Sequence, residues 1–262
     1  MNRTVNVVKA VGWELWLPCL LVALWWVASS GSTSFYWPAL SEIVARFGDL
    51  WLPDHLLEDA VPSLVRLVSG FGLGFVVAVG LGLLLGSVPA LEDATRPLVE
   101  LMRALPSVAL LPIMILLLGT EDDMKVVTIA FVATWPILLN TVEGVRGVEP
   151  LLHSVAASYR LSTWHKIRYV VVPAAMPQVF AGARVALSMS VVAMVLTEMV
   201  GSPGGLGYFV LDSQRTFDIV AMWTGLLVLG LIGYAANKAF GLVEAGVLSW
   251  HRGYTQQKED QR

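Results

Sequence analysis

The chain has 262 residues, of which 56% are hydrophobic and 14% are charged. A soluble domain carries about 25% charged residues, so this composition excludes a single soluble core and favours an integral membrane protein. The net charge of −3 gives no indication of nucleic-acid binding. One cysteine, Cys19, allows neither an intrachain disulfide nor a cysteine-based metal site, and no two histidines are spaced at i, i+4, so we expect no metal site.

Six stretches are long and apolar enough to cross a bilayer as helices, which takes about 20 residues. They are predicted at residues 13–30, 64–86, 97–118, 125–143, 176–200 and 219–247. The first is interpreted as a retained helix, because Ser29-Ser30-Gly31-Ser32 is a poor signal-peptide cleavage site. Backbone exposed to lipid must form hydrogen bonds within its own segment. The sequence therefore predicts an all-α integral membrane protein with six transmembrane helices.

The Lys and Arg residues of the loops predict the orientation of these spans. If the N-terminus is cytoplasmic, the cations inside are Arg3, Lys9, Arg96, Arg146, Arg160, Lys166, Arg168, Lys238, Arg252, Lys258 and Arg262. Those outside are Arg46, Arg66, Lys125 and Arg215. Loops on the cytoplasmic side are enriched in Lys and Arg, so both ends of the chain are predicted to be cytoplasmic.

Two further patterns concern helix packing. Residues 41–51 have apolar residues at helical spacing, which indicates either an amphipathic helix at the outer surface or a solvated loop with a helical turn. The second predicted span has small residues at every fourth position: Gly70, Gly74, Ala78, Gly82 and Gly86. Small residues let helix backbones approach closely in lipid. We expect a packing seam, within one subunit in preference to across a dimer.

The longest polar interruption is the segment GVEPLLHSVAASYRLSTWHKIRYVVVPAAMP, residues 147–177. We predict a first helix over 151–160 and a second over 163–172, with Ser162 as its N-cap and Pro173 at its end. Two short helices at an angle form a compact knob. Such a knob suits insertion into a groove on a partner protein, or it holds basic residues near lipid headgroups. Both interpretations stay open on the residues alone.

This segment resembles the cytoplasmic "EAA" loop of the permease subunits of ABC importers, in which Glu-Ala-Ala is followed after three residues by Gly and, further on, by Leu-Pro. Alignment on Pro173 places Ser154 at the Glu, Val155 and Ala156 at the two Ala positions, and Arg160 at the Gly. Gly is expected where a turn needs a left-handed residue. Either the turn of this chain is built differently, or its first helix continues through Arg160.

Two other segments are similar to the permeases for taurine, aliphatic sulfonates and nitrate. One is LVELMRALPSVALLPIMILLLG, which begins at Leu98 and contains Glu100, Arg103, Pro106, Pro112 and Gly119. The other is GARVALSMSVVAMVLTEMVGSPGGLGYFV, with Arg184, Glu198 and the run Gly205-Leu206-Gly207-Tyr208. The similarity covers residues 62–248. It implies a type-1, binding-protein-dependent permease domain there, preceded by a first span with an outer segment (1–61) and followed by a cytoplasmic polar tail (249–262).

The resemblance implies a multi-pass subunit of a bacterial inner membrane that forms the substrate pathway as a dimer, most simply a homodimer. Its other partners would be the lipid bilayer, two cytoplasmic ATPase subunits and an external substrate-binding protein. ATP and Mg²⁺ would bind to the ATPase subunits, with no cofactor and no nucleic acid on this chain, which lacks a GxxxxGK[ST] motif. The substrate would be a small polar or anionic nutrient, such as a sulfonate, taurine, nitrate or a heterocycle. The alternative is a self-sufficient secondary transporter, which needs coupling-ion residues near the midplane.

Two groups of candidate site residues follow, none of them catalytic or metal-binding. The ATPase-coupling loop would use Ser154, Val155, Ala156, Ala157, Ser158, Tyr159, Arg160, Leu161, Ser162 and Trp164. Candidates for the pathway or its gates are Arg103, Pro106, Pro112, Arg184 and Glu198. Ionisable residues within spans are functional candidates, and prolines are tolerated there beside a cavity. The structural alternative for Arg103 is an ion pair with Glu100, one helical turn away.

Overall fold

The computed structural model describes residues 2–250, and the side chains of residues 16–250 apart from 53, 107, 108 and 201. Within this part every regular element is a helix. The α-helices are α1 (Asn2–Ser29), α2 (Leu40–Leu50), α3 (Val61–Ser87), α4 (Pro89–Ala104), α5 (Ser107–Leu118), α6 (Asp122–Arg146), α7 (Pro150–Ser158), α8 (Thr163–Lys166), α9 (Val172–Gly201), α10 (Leu206–Arg215) and α11 (Ile219–Val247). Wider π-helical segments, Trp51–Ala60 and Ile167–Val171, lead into α3 and α9. Most of the predicted tail, from residue 251, lies outside the described residues.

Four helical stretches are long and apolar enough to cross a membrane: Asp54–Ser87, Asp122–Arg146, Thr163–Val200 and Ile219–Val247. They contain the predicted spans 64–86, 125–143, 176–200 and 219–247, which confirms those four as long apolar helices. The first predicted span lies in α1. The part of α1 whose side chains are described, Trp16–Ser29, is apolar but shorter than a bilayer crossing requires.

The third predicted span, residues 97–118, is not one helix. It is replaced by α4 and α5, whose axes meet at an angle of 101°. Pro106 disfavours the helical conformation of the residue before it, and Leu105 is extended, with φ −69° and ψ 124°. Helix α4 therefore ends at Ala104. Pro112 lies inside α5 without ending it, so only one of the two prolines breaks the chain direction.

The predicted end of the second loop helix at Pro173 is wrong. Pro173 does not end a helix, because the helical stretch that begins at Thr163 continues through it to Val200. Pro62 likewise lies inside the stretch that begins at Asp54. Proline has no N–H to donate and its ring collides with the carbonyl one turn back in an α-helix. A π-helical segment precedes each of these prolines, and its wider turn relieves that collision.

Helix α6 lies at the centre of the bundle, with α3 on one side and α9 on the other. The small residues of α3 face α6, which confirms the packing seam within one subunit. A Cβ atom added to Gly70 would lie 2.6 Å from the Cβ of Ile129, and one on Gly82 would lie 2.5 Å from the Cβ of Thr141. The two backbones approach to a distance that only glycine permits at these positions.

Residues 40–50 form the helix α2, which confirms the helical alternative for segment 41–51. Its apolar face is covered by protein, since Ile43 is fully buried and α2 packs against α11. Trp51, which follows α2, is buried and donates its indole N–H to the hydroxyl of Thr224 at 3.0 Å. The apolar side of this helix therefore belongs to the protein core.

Candidate functional site

A cluster of polar and charged side chains lies at the start of α6 and is here called the Arg66 network: Asp59, Ser63, Arg66, Asp122, Lys125 and Glu198. All of them except Asp122 are buried. Arg66 donates to Glu198 Oε1 and to Asp122 Oδ1, both at 2.8 Å. Lys125, itself buried, donates to Asp122 at 3.0 Å. Since Glu198 is completely buried, its charge is stabilised by Arg66 and not by water. The network joins α3, α6 and α9 at one end of the bundle.

The same network holds the turn that precedes α10. The first backbone N–H groups of a helix have no partner within it. Here Gly205 N–H donates to Asp59 Oδ1 at 2.8 Å, Leu206 N–H to Ser63 Oγ at 2.9 Å, and Gly207 N–H to Glu198 Oε2 at 2.9 Å. Gly205 has φ +113°, and a Cβ there would lie 2.6 Å from Glu198 Cδ. The Gly-Leu-Gly-Tyr run is thus the turn that docks onto the Arg66 network.

Sequence reasoning found only Glu198 in this cluster. It counted Arg66 and Lys125 among the loop cations of the outer side, whereas both lie in helices, are buried and pair with carboxylates. A signal was present in the sequence. Arg66 lies four residues before Gly70 and eight before Gly74, so it continues the seam face of α3 toward α6.

The two-helix loop, residues 147–172, lies at the other end of α6, about 36 Å away along a 25-residue helix. Helix α7 ends at Ser158, and Arg160 has φ +50°. Arg160 N–H donates to Ala157 C=O at 2.9 Å and Leu161 N–H to Ala156 C=O at 3.0 Å, which is the Schellman pattern of a helix end. The left-handed turn expected of a glycine is therefore present, with an arginine in its place. Both alternatives drawn from the sequence are therefore wrong: the turn does use a left-handed residue at Arg160, and the first helix does not continue through it.

The second helix begins as predicted. The Ser162 hydroxyl accepts a hydrogen bond from His165 N–H at 3.4 Å, and Ser162 is the N-cap of α8. The loop is fixed to the bundle by an apolar cluster in which Val145 and Val148, at the end of α6, pack with Val171 and Ala175. A displacement of the loop would therefore act directly on α6 and α9.

Of the predicted loop residues, Ala156 is the one that is buried. The hydroxyls of the exposed Ser154 and Ser158 donate to carbonyl groups one turn back in α7. The other loop residues are exposed as well: Val155, Ala157, Tyr159, Arg160, Leu161, Ser162 and Trp164. Tyr159 is 78% exposed and Trp164 is 65% exposed. The loop thus presents large apolar side chains that nothing within the described chain covers.

The predicted pathway residues do not come together. Glu198 belongs to the Arg66 network, and Arg184 pairs with Glu244 of α11. Arg103, Pro106 and Pro112 are exposed on α4 and α5. The expected pair between Arg103 and Glu100 is wrong, because Glu100 accepts from Arg96 at 3.1 Å. Arg103 instead lines two neighbouring cavities next to α6, one of about 340 Å³ along α4 and one of about 420 Å³ at the end of α4.

Comparison with known proteins agrees with this architecture. Residues 70–248 match the family model described as binding-protein-dependent transport system inner membrane component. The chain belongs to this family, and it is therefore the membrane permease component of an ABC transport system.

Three curated relatives carry more specific names. The permease protein SsuC of Bacillus subtilis, named for aliphatic sulfonates transport, is 29% identical over 94% of this chain and 91% of its own length. The nitrate import permease protein NrtB of Synechocystis is 30% identical over 71% of this chain and 68% of its own. The bicarbonate transport system permease protein CmpB of Synechococcus elongatus is 28% identical over 75% of this chain and 71% of its own.

A solved structure shows the same fold. A chain of the MetNI methionine ABC transporter, in an inward-facing conformation, superposes with a TM-score of 0.66 and 21% identity. The match covers 76% of this chain and 97% of that one. The helical bundle described above is therefore the fold of an ABC transporter chain.

Proposed function

We propose that two copies of this chain form the pathway of an ATP-driven importer for a small anion, and that the two-helix loop transmits movement from cytoplasmic ATPase subunits. One observation carries the coupling role. The loop exposes Tyr159, Leu161 and Trp164 at its tip while its base is packed into α6 and α9. An exposed apolar surface of this kind is typical of a site that a partner covers. A rigid base lets that partner move the spans.

The proposed topology has six spans with both ends of the chain in the cytoplasm. Helix α1 would be the first span, and the bent pair α4–α5 would be one broken span beside the four long helices. The charge bias supports the orientation. Because Arg66 and Lys125 are held by carboxylates in the Arg66 network, Arg46 of α2 and Arg215 of α10 remain as the other cations on the outer side. The two-helix loop then faces the cytoplasm, where the ATPase subunits lie.

Helix α4 supports the pathway and the dimer. It buries none of its side chains within the described chain, although it carries Glu92, Asp93, Arg96, Glu100 and Arg103. Charged side chains are costly in hydrocarbon and face water or protein instead. We assign α4 to the water-filled path between two copies of the chain. The substrate class rests on the relatives, whose names refer to aliphatic sulfonates, nitrate and bicarbonate, all small anions.

Co-purification tests the coupling role. The chain is co-expressed with an ATPase encoded beside it, and Ala157 or Leu161 is replaced by Asp, which places a charge on the exposed tip of the loop. We expect either variant to lose the ATPase subunit while retaining its fold. Phe217→Asp is the matched control, because Phe217 is 63% exposed just before α11, away from the loop. A complex that survives both loop substitutions would exclude the loop as the coupling element.

Uptake by proteoliposomes tests the transport role. Vesicles that contain the complex are given the external binding protein, internal ATP and labelled ethanesulfonate, nitrate or bicarbonate. We expect accumulation of one of these anions that depends on ATP. Accumulation driven by an ion gradient, with the purified chain alone, would show a secondary transporter instead.

A further inference from the structure

The larger of the two cavities beside α4 combines an apolar wall with one charged side chain at its edge. Its volume is about 420 Å³, within the usual range for a small-molecule site. It lies where α4 turns into α5, and its walls come from α6 and α9, including Phe131, Trp135 and Met189. Among the described residues that line it, Arg103 is the one charged side chain. The cavity therefore has a positive charge at its edge and no acid on its wall.

Arg103 is available because its neighbours are already paired. The acids of the adjoining cavity have other donors: Glu100 binds Arg96, Glu92 binds Arg146, and Glu143 accepts from Gln178 at 3.4 Å. No carboxylate among the described side chains lies within ion-pair distance of Arg103. A guanidinium presents five N–H donors in a planar fork that matches a carboxylate or another oxyanion.

Trp135 lies on the wall of the same cavity. Its indole nitrogen is buried and has no hydrogen-bond partner. A buried donor without a partner costs about 1–3 kcal/mol, so such groups usually have a function or a ligand. The ring of Trp135 is held edge-on by Phe131, with the centroids 5.3 Å apart. Its position is therefore set by packing within α6.

We infer that this cavity is a binding station for the transported anion, in which Arg103 supplies the charge and the apolar wall that includes Trp135 packs against the apolar part of the anion. The inference rests on the proposed function and specifies the substrate class: a small anion with acceptor oxygens and a compact apolar part. Arg103 also borders the second, more polar cavity. An anion can therefore reach Arg103 from water before it enters the apolar chamber.

Fluorescence quenching tests the site without transport. The full chain is reconstituted with its ATPase partner, and the emission of Trp135 is taken as the difference between the wild type and Trp135→Phe. Iodide is the anionic probe and acrylamide is a neutral quencher that enters the same cavity. We expect Arg103→Gln to reduce iodide quenching of Trp135 about fivefold, the factor for a unit charge a few ångströms away in water. Acrylamide quenching should not change, and Arg103→Lys should retain most of the iodide effect.

Two results would overturn the inference. One is equal iodide quenching in the wild type and Arg103→Gln, since the arginine would then attract no anion. The other is a parallel loss of acrylamide quenching, because Arg103 would then keep the cavity open without binding the anion. A failure of transport can be distinguished from both results. If the wild-type complex accumulates none of the three anions, the proposed function fails, but the quenching measurement still tests anion binding at Arg103.

Uptake gives the second readout. In proteoliposomes whose wild-type complex accumulates an anion, Arg103→Gln should lower uptake about tenfold at low substrate concentration, while ATP hydrolysis by the complex continues. A loss of about this size is typical of a lost charge-assisted hydrogen bond. Arg103→Lys should restore part of the uptake. Arg215→Gln, which removes a cation at the other end of the bundle, is the matched control and should transport normally. Unchanged uptake by Arg103→Gln would contradict the site.

Discussion

The two ends of α6 differ in how completely the chain provides partners for its own side chains. At the Asp122 end, charged groups from α3, α6 and α9 pair with one another, and Glu198 and Ser63 are fully buried. At the Arg146 end, the two-helix loop has a buried base but leaves Tyr159 and Trp164 in solvent. One end is complete within a single chain, whereas the other has a surface without a partner. Substitutions at the first end should affect folding, and those at the second should affect assembly.

The largest effect is expected when the central pair of the Arg66 network is broken. Arg66→Met leaves the buried carboxylate of Glu198 without its cation, and loss of one member of a buried pair costs about 3–5 kcal/mol. The measurement is thermal unfolding of the purified chain in detergent.

The matched control for that change is Arg46→Met. Arg46 and Asp218 form an exposed pair at 3.4 Å, and such pairs contribute about 0–1 kcal/mol. The double variant Arg66→Met/Glu198→Met should recover part of the loss, because it removes both charges. Equal shifts for Arg66→Met and Arg46→Met would show that burial does not distinguish the two pairs.

A smaller but still large effect is expected at the turn that docks onto this network. Gly205→Ala places a Cβ at φ +113° and 2.6 Å from Glu198 Cδ, so we expect a loss of about 3 kcal/mol from backbone strain and overpacking. Gly204→Ala is the adjacent control, since the nearest atom to its Cβ would be Asp59 Oδ1 at 3.8 Å. Thermal unfolding of the two variants should differ by most of that amount. A similar loss in both would contradict the docking geometry.

The bundle was predictable where a single physical requirement acts on a single segment. Bilayer thickness demands long apolar runs, and four of them are helices of the expected kind. The close approach of α3 and α6 was visible as glycines at every fourth position. Ser162 was recognisable as an N-cap because capping depends on residues three positions apart.

The Arg66 network was not predictable in the same way, because it depends on partners distant in sequence. Arg66 and Glu198 are 132 residues apart, and a cation near the end of a span has the same local pattern whether it is solvated or paired. The end of the second loop helix was misplaced because Pro173 was assumed to stop it, whereas the π-helical segment before Pro173 accommodates the proline. Neither long-range pairing nor local widening of the backbone can be predicted from the spacing of residue types along the sequence.

A modest gain in stability is expected at the loop end. Arg160 has φ +50°, a conformation that costs an L-residue about 1–2 kcal/mol and glycine almost nothing. Arg160→Gly should therefore raise the free energy of unfolding by about 1 kcal/mol, measured by thermal unfolding of the chain alone. Tyr159→Gly is the control, because Tyr159 has φ −80° and gains no such relief. A loss of stability in Arg160→Gly would mean that the arginine side chain makes a contact worth more than the strain.

The smallest effect on the chain itself is expected at the tip of the loop, where the comparison between the two ends is sharpest. Tyr159→Ser removes a side chain that is 78% exposed, so the unfolding free energy of the isolated chain should change by less than about 0.5 kcal/mol. Val171→Ser, at the buried base of the same loop, should cost about 2 kcal/mol by loss of apolar burial. The order of the two effects reverses when assembly is measured instead of unfolding. Tyr159→Ser should weaken binding of the ATPase subunit while leaving the fold intact. Destabilisation of the isolated chain by Tyr159→Ser would show that the tip is part of the fold and that its exposure has no role in assembly.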